Sequence, residues 1–404
     1  MISRHQYLDK LIEYENPRLI KIITGVRRAG KSSILMMYRD HIKKHQPEMK
    51  ILYLNLESFE NLHLRTHEDL FRRIQEEFGS IQEENSYCLL LDEIQLIEGW
   101  ERVVNGLHAT GRVNLVISGS NAKLLSSEIA TLLSGRYVEI EVLPLSFLEY
   151  LDFKQYERNE EIDHEKEFQD FLDLGAFPAV VLSRNESLQR DYLQGLYDSI
   201  IVRDIVSRHQ IKDITALHGI ISFLFEMIGR PIEIKNVINT IKSAGGTTSY
   251  KSVNDYIEAL LEAYVLYPVE MYKLKGKKRL VGKKRYYLVD GGLKSVVVPP
   301  IAKNIGSQLE NAVYLELLRR GYRVYAGDIA DAEIDFVAER AAEKMYIQVS
   351  LSLMNEATRA REFRSLESVK DNFPKWILTL DKFDFSQNGI QCINLIDWML
   401  EEQM

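Results

Sequence analysis

Apolar positions in the first 150 residues gather into five short, nearly unbroken runs, at 19–24, 51–55, 87–91, 113–117 and 137–142, separated by stretches of helical spacing. Strands buried on both faces read this way, and a parallel sheet covered by helices on each side is what buries them. The pattern predicts an α/β domain over 1–154. Residues 155–212 are polar and helix-rich, with Gly175-Ala176-Phe177-Pro178 as a turn, and read as a helical lid or linker.

From 213 the pattern changes to three amphipathic stretches. Leu217, Ile220, Ile221, Leu224, Phe225 and Ile228 share one helical face, as do Ile234, Val237, Ile238 and Ile241, and then Val253, Ile257, Leu260, Leu261 and Tyr264. Two strand-like segments follow, at 265–274 and 285–289. Three helices and a hairpin predict a winged helix over 213–295. A last α/β domain is expected over 296–404.

Composition narrows the function classes. The 404 residues carry 51 basic and 59 acidic side chains, a net charge of −8, which argues against a nonspecific nucleic-acid coat. No apolar run approaches the roughly 18 residues of a membrane span, so no membrane association is expected. A polar start and two cysteines, Cys88 and Cys392, both within apolar segments, point to buried thiols in a cytoplasmic protein.

The first strand ends in Gly25-Val26-Arg27-Arg28-Ala29-Gly30-Lys31-Ser32, followed by Ser33 and a helical pattern. Glycines at this spacing let backbone N–H groups close around phosphate oxygens, and the helix N-terminus adds its positive end. Lys31 reaches the outer phosphates, the Ser32 hydroxyl ligates Mg²⁺, and Arg27 and Arg28 add positive potential. The run at 87–91 delivers Asp92-Glu93 to the same end of the sheet, where Asp92 suits the hydrated Mg²⁺ and Glu93 suits the attacking water. The next strand ends in Ser118-Gly119-Ser120-Asn121, so that Asn121 or Ser120 can sense the terminal phosphate. Arg136 is a candidate to neutralise transition-state charge, in cis or across the interface of a homo-oligomer.

A second candidate lies in the hairpin. Lys273, Lys275, Lys277, Lys278, Arg279, Lys283, Lys284 and Arg285 are eight positive charges with no acid among them, a pattern suited to duplex DNA. A solvated hairpin or a protein-binding module fits the same residues. Tyr250, Lys251 and Asn254 on the third helix could meet a groove.

Taken together, GVRRAGKS, LLLDEIQ with Gly99-Trp100-Glu101, SGSN, LSGR and Pro144-Leu145-Ser146-Phe147-Leu148-Glu149-Tyr150 resemble a prokaryotic AAA+-type ATPase fused to a C-terminal domain of unassigned function. The resemblance implies an extra strand between the phosphate-loop strand and the Asp-Glu strand. It also implies ATP rather than GTP, and catalytic roles for Lys31, Glu93, Asn121 and Arg136. The segment 197–205 resembles a recurring piece of that family; Arg203 within it could approach the nucleotide, though an intrahelical or interdomain salt bridge is the expected role.

The last hundred residues resemble the PD-(D/E)xK nuclease fold, with Glu310 on a helix and Asp335 on a strand. Gln348 and Ser350 stand where an acid and a lysine are needed, so nuclease activity is not expected. The sequence thus predicts an ATPase whose cycle is coupled to DNA-associated modules. Its rival is a nucleotide-controlled protein switch without DNA.

Overall fold

The computed structural model describes the chain except residues 1, 82–86, 123–132, 134, 158–161, 184, 274–277, 300–303, 330–331 and 402–404, and the side chains of 157, 278–283, 329 and 332. The chain forms two compact units. One comprises Met1–Leu143 with Glu262–Tyr264, the other Pro144–Leu261 with Val265–Met404.

The first unit opens with α1 (His5–Glu13) and alternates β1 (Ile20–Thr24), α2 (Lys31–His45), β2 (Lys50–Asn55), α3 (His67–Phe78), β3 (Tyr87–Asp92), α4 (Trp100–Thr110), β4 (Val113–Ser118) and β5 (Tyr137–Glu141). The strands are parallel in the order β2-β3-β4-β1-β5, which inserts β4 between the phosphate-loop strand and the Asp-Glu strand as the resemblance implies. Burial follows position in the sheet. The inner strands β1, β3 and β4 are buried at every residue, whereas the edge strands β2 and β5 are partly exposed.

Polar side chains near the starts of two inner strands, away from the loop's end of the sheet, find partners there. Asn114 on β4 donates to the Tyr38 hydroxyl at 2.8 Å. Lys21 on β1 is fully buried and donates to the carbonyls of Asn16 at 3.1 Å and Leu19 at 2.9 Å. Burial lowers its pKa to about 8. Of the two thiols, Cys88 is buried and Cys392 only half-buried.

The second unit begins with α5 (Phe147–Glu157), α6 (His164–Leu174), α7 (Pro178–Val181) and α8 (Glu186–Ser199), which runs into a π-helical stretch at Ile200–Val206. The expected turn at Gly175 is present and leads into Pro178 at the first position of α7. Its anchor comes from far along the chain. The buried Asp290 accepts from the Ala176 N–H at 2.6 Å and the Gly292 N–H at 2.8 Å. Burial, opposed by these N–H bonds, raises its carboxyl to about 7.

Three further helices follow, α9 (Ile214–Glu226), α10 (Ile234–Ser243) and α11 (Tyr250–Glu262), then β6 (Leu266–Lys273) and β7 (Lys278–Leu288). Ile232, between α9 and α10, bridges antiparallel to Lys284 of β7. After α12 (Gly291–Val297) come α13 (Ile305–Arg319), β8 (Arg323–Ile329), β9 (Ala332–Arg340), β10 (Glu343–Ser350), α14 (Glu356–Glu367), β11 (Lys375–Thr379), β12 (Ile390–Asn394) and α15 (Leu395–Leu400).

One sheet crosses the boundary expected at 295/296. Its order is β12-β11-β10-β9-β8-β6-β7, with β6 parallel to β8 through the pairs Met271–Ala326, Tyr272–Gly327 and Lys273–Asp328. The hairpin is therefore the end of a seven-stranded sheet rather than a freestanding wing. Hydrogen bonding an otherwise open strand edge supplies the physical reason. Among the described residues no helix is long and apolar enough to cross a membrane.

Candidate functional site

The phosphate loop leaves β1 in a conformation that its glycines dictate. Gly25 has φ 125°, and a Cβ there would lie 2.2 Å from the Val142 carbonyl oxygen. Gly30, at φ 104°, turns the chain into α2. Val26 and Ala29 are buried, Arg28 is exposed at φ 68°, and Arg27 pairs with Glu57 at 2.8 Å. Lys31 is buried, its ammonium donating to the carbonyls of Gly25 at 2.9 Å and Val26 at 3.0 Å. Ser32 and Ser33 follow on the first turn of α2, both half-buried.

An unforeseen residue fastens this loop. Arg4 is buried ahead of α1 and donates to the carbonyls of Ala29 at 2.8 Å and Leu143 at 3.0 Å. It lies over the Tyr7 ring, whose hydroxyl accepts from the Leu143 N–H at 3.2 Å. Sequence spacing carries no sign of this tie, because the three segments are far apart in the chain.

Parallel pairing brings Asp92 to the loop's end of the sheet. Its side chain is fully buried, accepts from Ser118 Oγ and, at 3.2 Å, from the Tyr53 hydroxyl, and is hydrogen-bonded by Ser32. Burial pushes its carboxyl above the usual range; the Ser118 and Ser32 bonds oppose this, the neighbouring Glu93 adds to it, and Lys31 counters it. Ser32 and Asp92, from separate segments, thus meet directly. Ser118 and Tyr53 are unforeseen supports of Asp92.

Glu93 adopts the left-handed conformation, φ 59°, and caps the 3₁₀ turn Ile94–Leu96. Its N–H donates to Ser118 Oγ at 3.2 Å, and its Oε2 accepts from Gln95 Nε2 and, at 3.3 Å, from Ser120 Oγ. Of the two side chains expected near the terminal phosphate, Ser120 therefore meets Glu93, while Asn121 is buried beside it in the chain.

Arg136 starts from the other end of the sheet. It is exposed, its carbonyl accepts from the Ile20 N–H at 2.8 Å, and Tyr137 pairs with Ile20 at the start of β1. Five residues of strand at ~3.3 Å each separate that point from the loop by roughly 16 Å. An arginine side chain spans less than half of this, so action in cis on the same loop is ruled out.

The acids of the C-terminal sheet form a different arrangement. Arg285 of β7, counted by sequence in the basic patch, is 3% exposed and turned inward. It contacts Glu333 at 2.5 Å and Asp335 at 4.0 Å. Along the strand Lys284 faces outward and Arg285 inward, and the nearby acids compensate the buried guanidinium. Lys273 and Lys284 are exposed; Lys275 and Lys277, and the side chains of Lys278, Arg279 and Lys283, lie outside the described residues.

Gln348 supplies spacing rather than charge. Its Oε1 accepts from the Asp335 N–H at 2.7 Å and its Nε2 donates to Glu362 at 2.7 Å, while Ser350 Oγ donates to the Ser352 carbonyl at 3.3 Å. Burial, reinforced by neighbouring acids, raises the carboxyls of Glu310 and Asp335. Among the described residues no group of three or more His, Cys, Asp or Glu is arranged to hold a metal ion.

Comparison with known proteins agrees with the first unit's geometry. Residues 17–151 match the family model of an AAA domain, and residues 165–304 match a domain of unknown function. An uncharacterized protein of Haemophilus influenzae is 39% identical over 403 residues, covering 99% of each chain. Another, from Methanocaldococcus jannaschii, is 30% identical over 391 residues, covering 94% of this chain and 85% of that one. The chain belongs to this family. Its N-terminal unit is an AAA-type nucleotide-binding domain with a P-loop. Among solved structures, AMPPCP-bound DnaA from Aquifex aeolicus is similar at a TM-score of 0.33 and 16% identity, covering 64% of this chain and 85% of that one. Cdc6p from Pyrobaculum aerophilum is similar at 0.33 and 11%, covering 78% and 95%.

Proposed function

We propose that the protein hydrolyses ATP with Mg²⁺ and couples the cycle to its C-terminal unit. The convergence of Lys31, Ser32, Asp92 and Glu93 at one end of the parallel sheet carries this reading. A serine hydroxyl and one carboxylate are hard oxygen donors, few in number, which suits an ion that keeps most of its water. Bound there, Mg²⁺ supplies charge neutralisation to the phosphates. The loop N–H groups hold the phosphates. Lys31 exchanges its two carbonyl contacts for phosphate oxygens, and Glu93 orients the attacking water. Asn121 is proposed as sensor, and Arg136 as a charge donor to a neighbouring copy.

The order α9, bridge strand, α10, α11, hairpin supports a winged helix, and α13 to β11 follow the order of the nuclease-like fold. Lys273, Lys284, Tyr250 and Lys251 are exposed and offer duplex DNA a surface. The wing of this reading is smaller than the sequence suggests, since Arg285 is spent on Glu333 and Asp335.

A second reading, an ATP-controlled assembly switch, is favoured by Arg136 and by apolar side chains on the first unit. Phe59 is 89% exposed, and Leu62, Phe71 and Leu96 are also exposed. ATP turnover with and without duplex DNA, using Lys31→Ala as the blank, separates the two. Turnover raised severalfold by DNA, and lost in a Lys273→Gln/Lys284→Gln variant, supports coupling to DNA. Turnover indifferent to DNA favours the switch.

A further inference from the structure

We propose that Gln95 is the positioning residue for Glu93, fixing its carboxylate for the water that attacks the terminal phosphate; this rests on the ATPase reading above. The left-handed backbone of Glu93 starts the tight turn Ile94–Leu96, which folds the side chain of Gln95 back onto the acid two residues before it. The amide orientation is dictated by chemistry, since the reverse would set two oxygens face to face.

Ser120 Oγ, on the neighbouring strand's loop, donates to the same carboxylate oxygen, Oε2, at 3.3 Å. The Glu93 N–H is tied separately to Ser118. Main chain and one carboxylate oxygen are therefore both fixed, leaving Oε1 to accept from water. Such restraint keeps a general base within hydrogen-bond reach of its proton without reorganisation during the reaction.

The other end of the amide makes no competing contact. Gln95 Oε1 is buried and has no hydrogen-bond partner among the described residues. The donor end is therefore the one that is engaged, and it is engaged by Glu93.

The test is Gln95→Met, which keeps length and volume and removes the amide, made in the wild type and in a Glu93→Gln background. Steady-state kinetics, affinity for a fluorescent ATP analogue and melting temperature are measured on each full-length protein. The expected result is a kcat lower by roughly tenfold or more, the gain proton-transfer positioning typically gives, with KM, analogue affinity and melting temperature unchanged. In the Glu93→Gln background the same substitution removes nothing further. Unchanged kcat in an active enzyme overturns the proposal alone, as does an equal loss in both backgrounds. A wild type that binds the analogue but releases no phosphate overturns the ATPase reading and this proposal with it.

Discussion

Ser118 Oγ donates to Oδ1 of Asp92 and accepts from the N–H of the next residue, Glu93, at 3.2 Å. One hydroxyl on β4 thus holds the side chain of Asp92, the last residue of β3, and the main chain of Glu93 in a fixed relation. Ser118→Ala leaves the buried Asp92 short of a partner, at a cost of about 1–3 kcal/mol. We expect a melting temperature lower by several degrees and turnover reduced by roughly tenfold, read by thermal denaturation and phosphate release.

Arg285 is the buried cation that meets Glu333 and Asp335. Glu333 is 58% exposed and gains little from the pair, so most of the effect lies with Asp335. Arg285→Gln is expected to destabilise the second unit by about 2–3 kcal/mol. Chemical denaturation checks this. On the proposed DNA-coupled reading, DNA affinity of the folded fraction should not change, in contrast to Lys273→Gln or Lys284→Gln.

Lys21 gives stability a pH dependence of defined sign. Its folded pKa of about 8 lies below the ordinary 10.5, so burial disfavours the charged form. Below pH 8 both states hold the proton and the penalty is present in full. Between 8 and 10.5 the unfolded chain holds a proton that the folded one has released, and stability rises with pH. The span corresponds to roughly 3 kcal/mol. Lys21→Met should be more stable than the wild type at pH 7, with the difference shrinking towards pH 10 in urea titrations.

Gly175 has φ 77°, and a Cβ there would come within 1.9 Å of Asp290 Oδ1. Gly175→Ala therefore breaks the Asp290–Ala176 tie as well as straining the backbone, a loss of about 3 kcal/mol. Protease sensitivity and melting temperature report it.

How much of this was legible in the sequence depends on the span over which each feature is written. The loop 25–32 and the pair Asp92-Glu93 are contiguous, and parallel strands deliver both to one end, so the core of the site is readable. The supports are not. Ser118, Tyr53 and Arg4 reach the site from other segments through strand order and helix placement, which no local spacing encodes. Gln95 is local, yet its role depends on the left-handed turn at Glu93. Arg285 shows the opposite error: it stands in a run of positive charge, but strand alternation turns it inward towards acids on β9. Charge counting along a hairpin cannot separate its two faces without the register.

Lys31, Asp92 and Glu93 are proposed to form a working ATP hydrolysis site. Its most direct test is Mg²⁺-dependent phosphate release from ATP by the wild type and by Glu93→Gln, with nucleotide affinity measured on both. Turnover by the wild type is expected, with Glu93→Gln binding nucleotide as tightly but slowed by at least roughly a hundredfold. Equal turnover by the two proteins, or none by a wild type that binds Mg²⁺-ATP, would contradict the proposal.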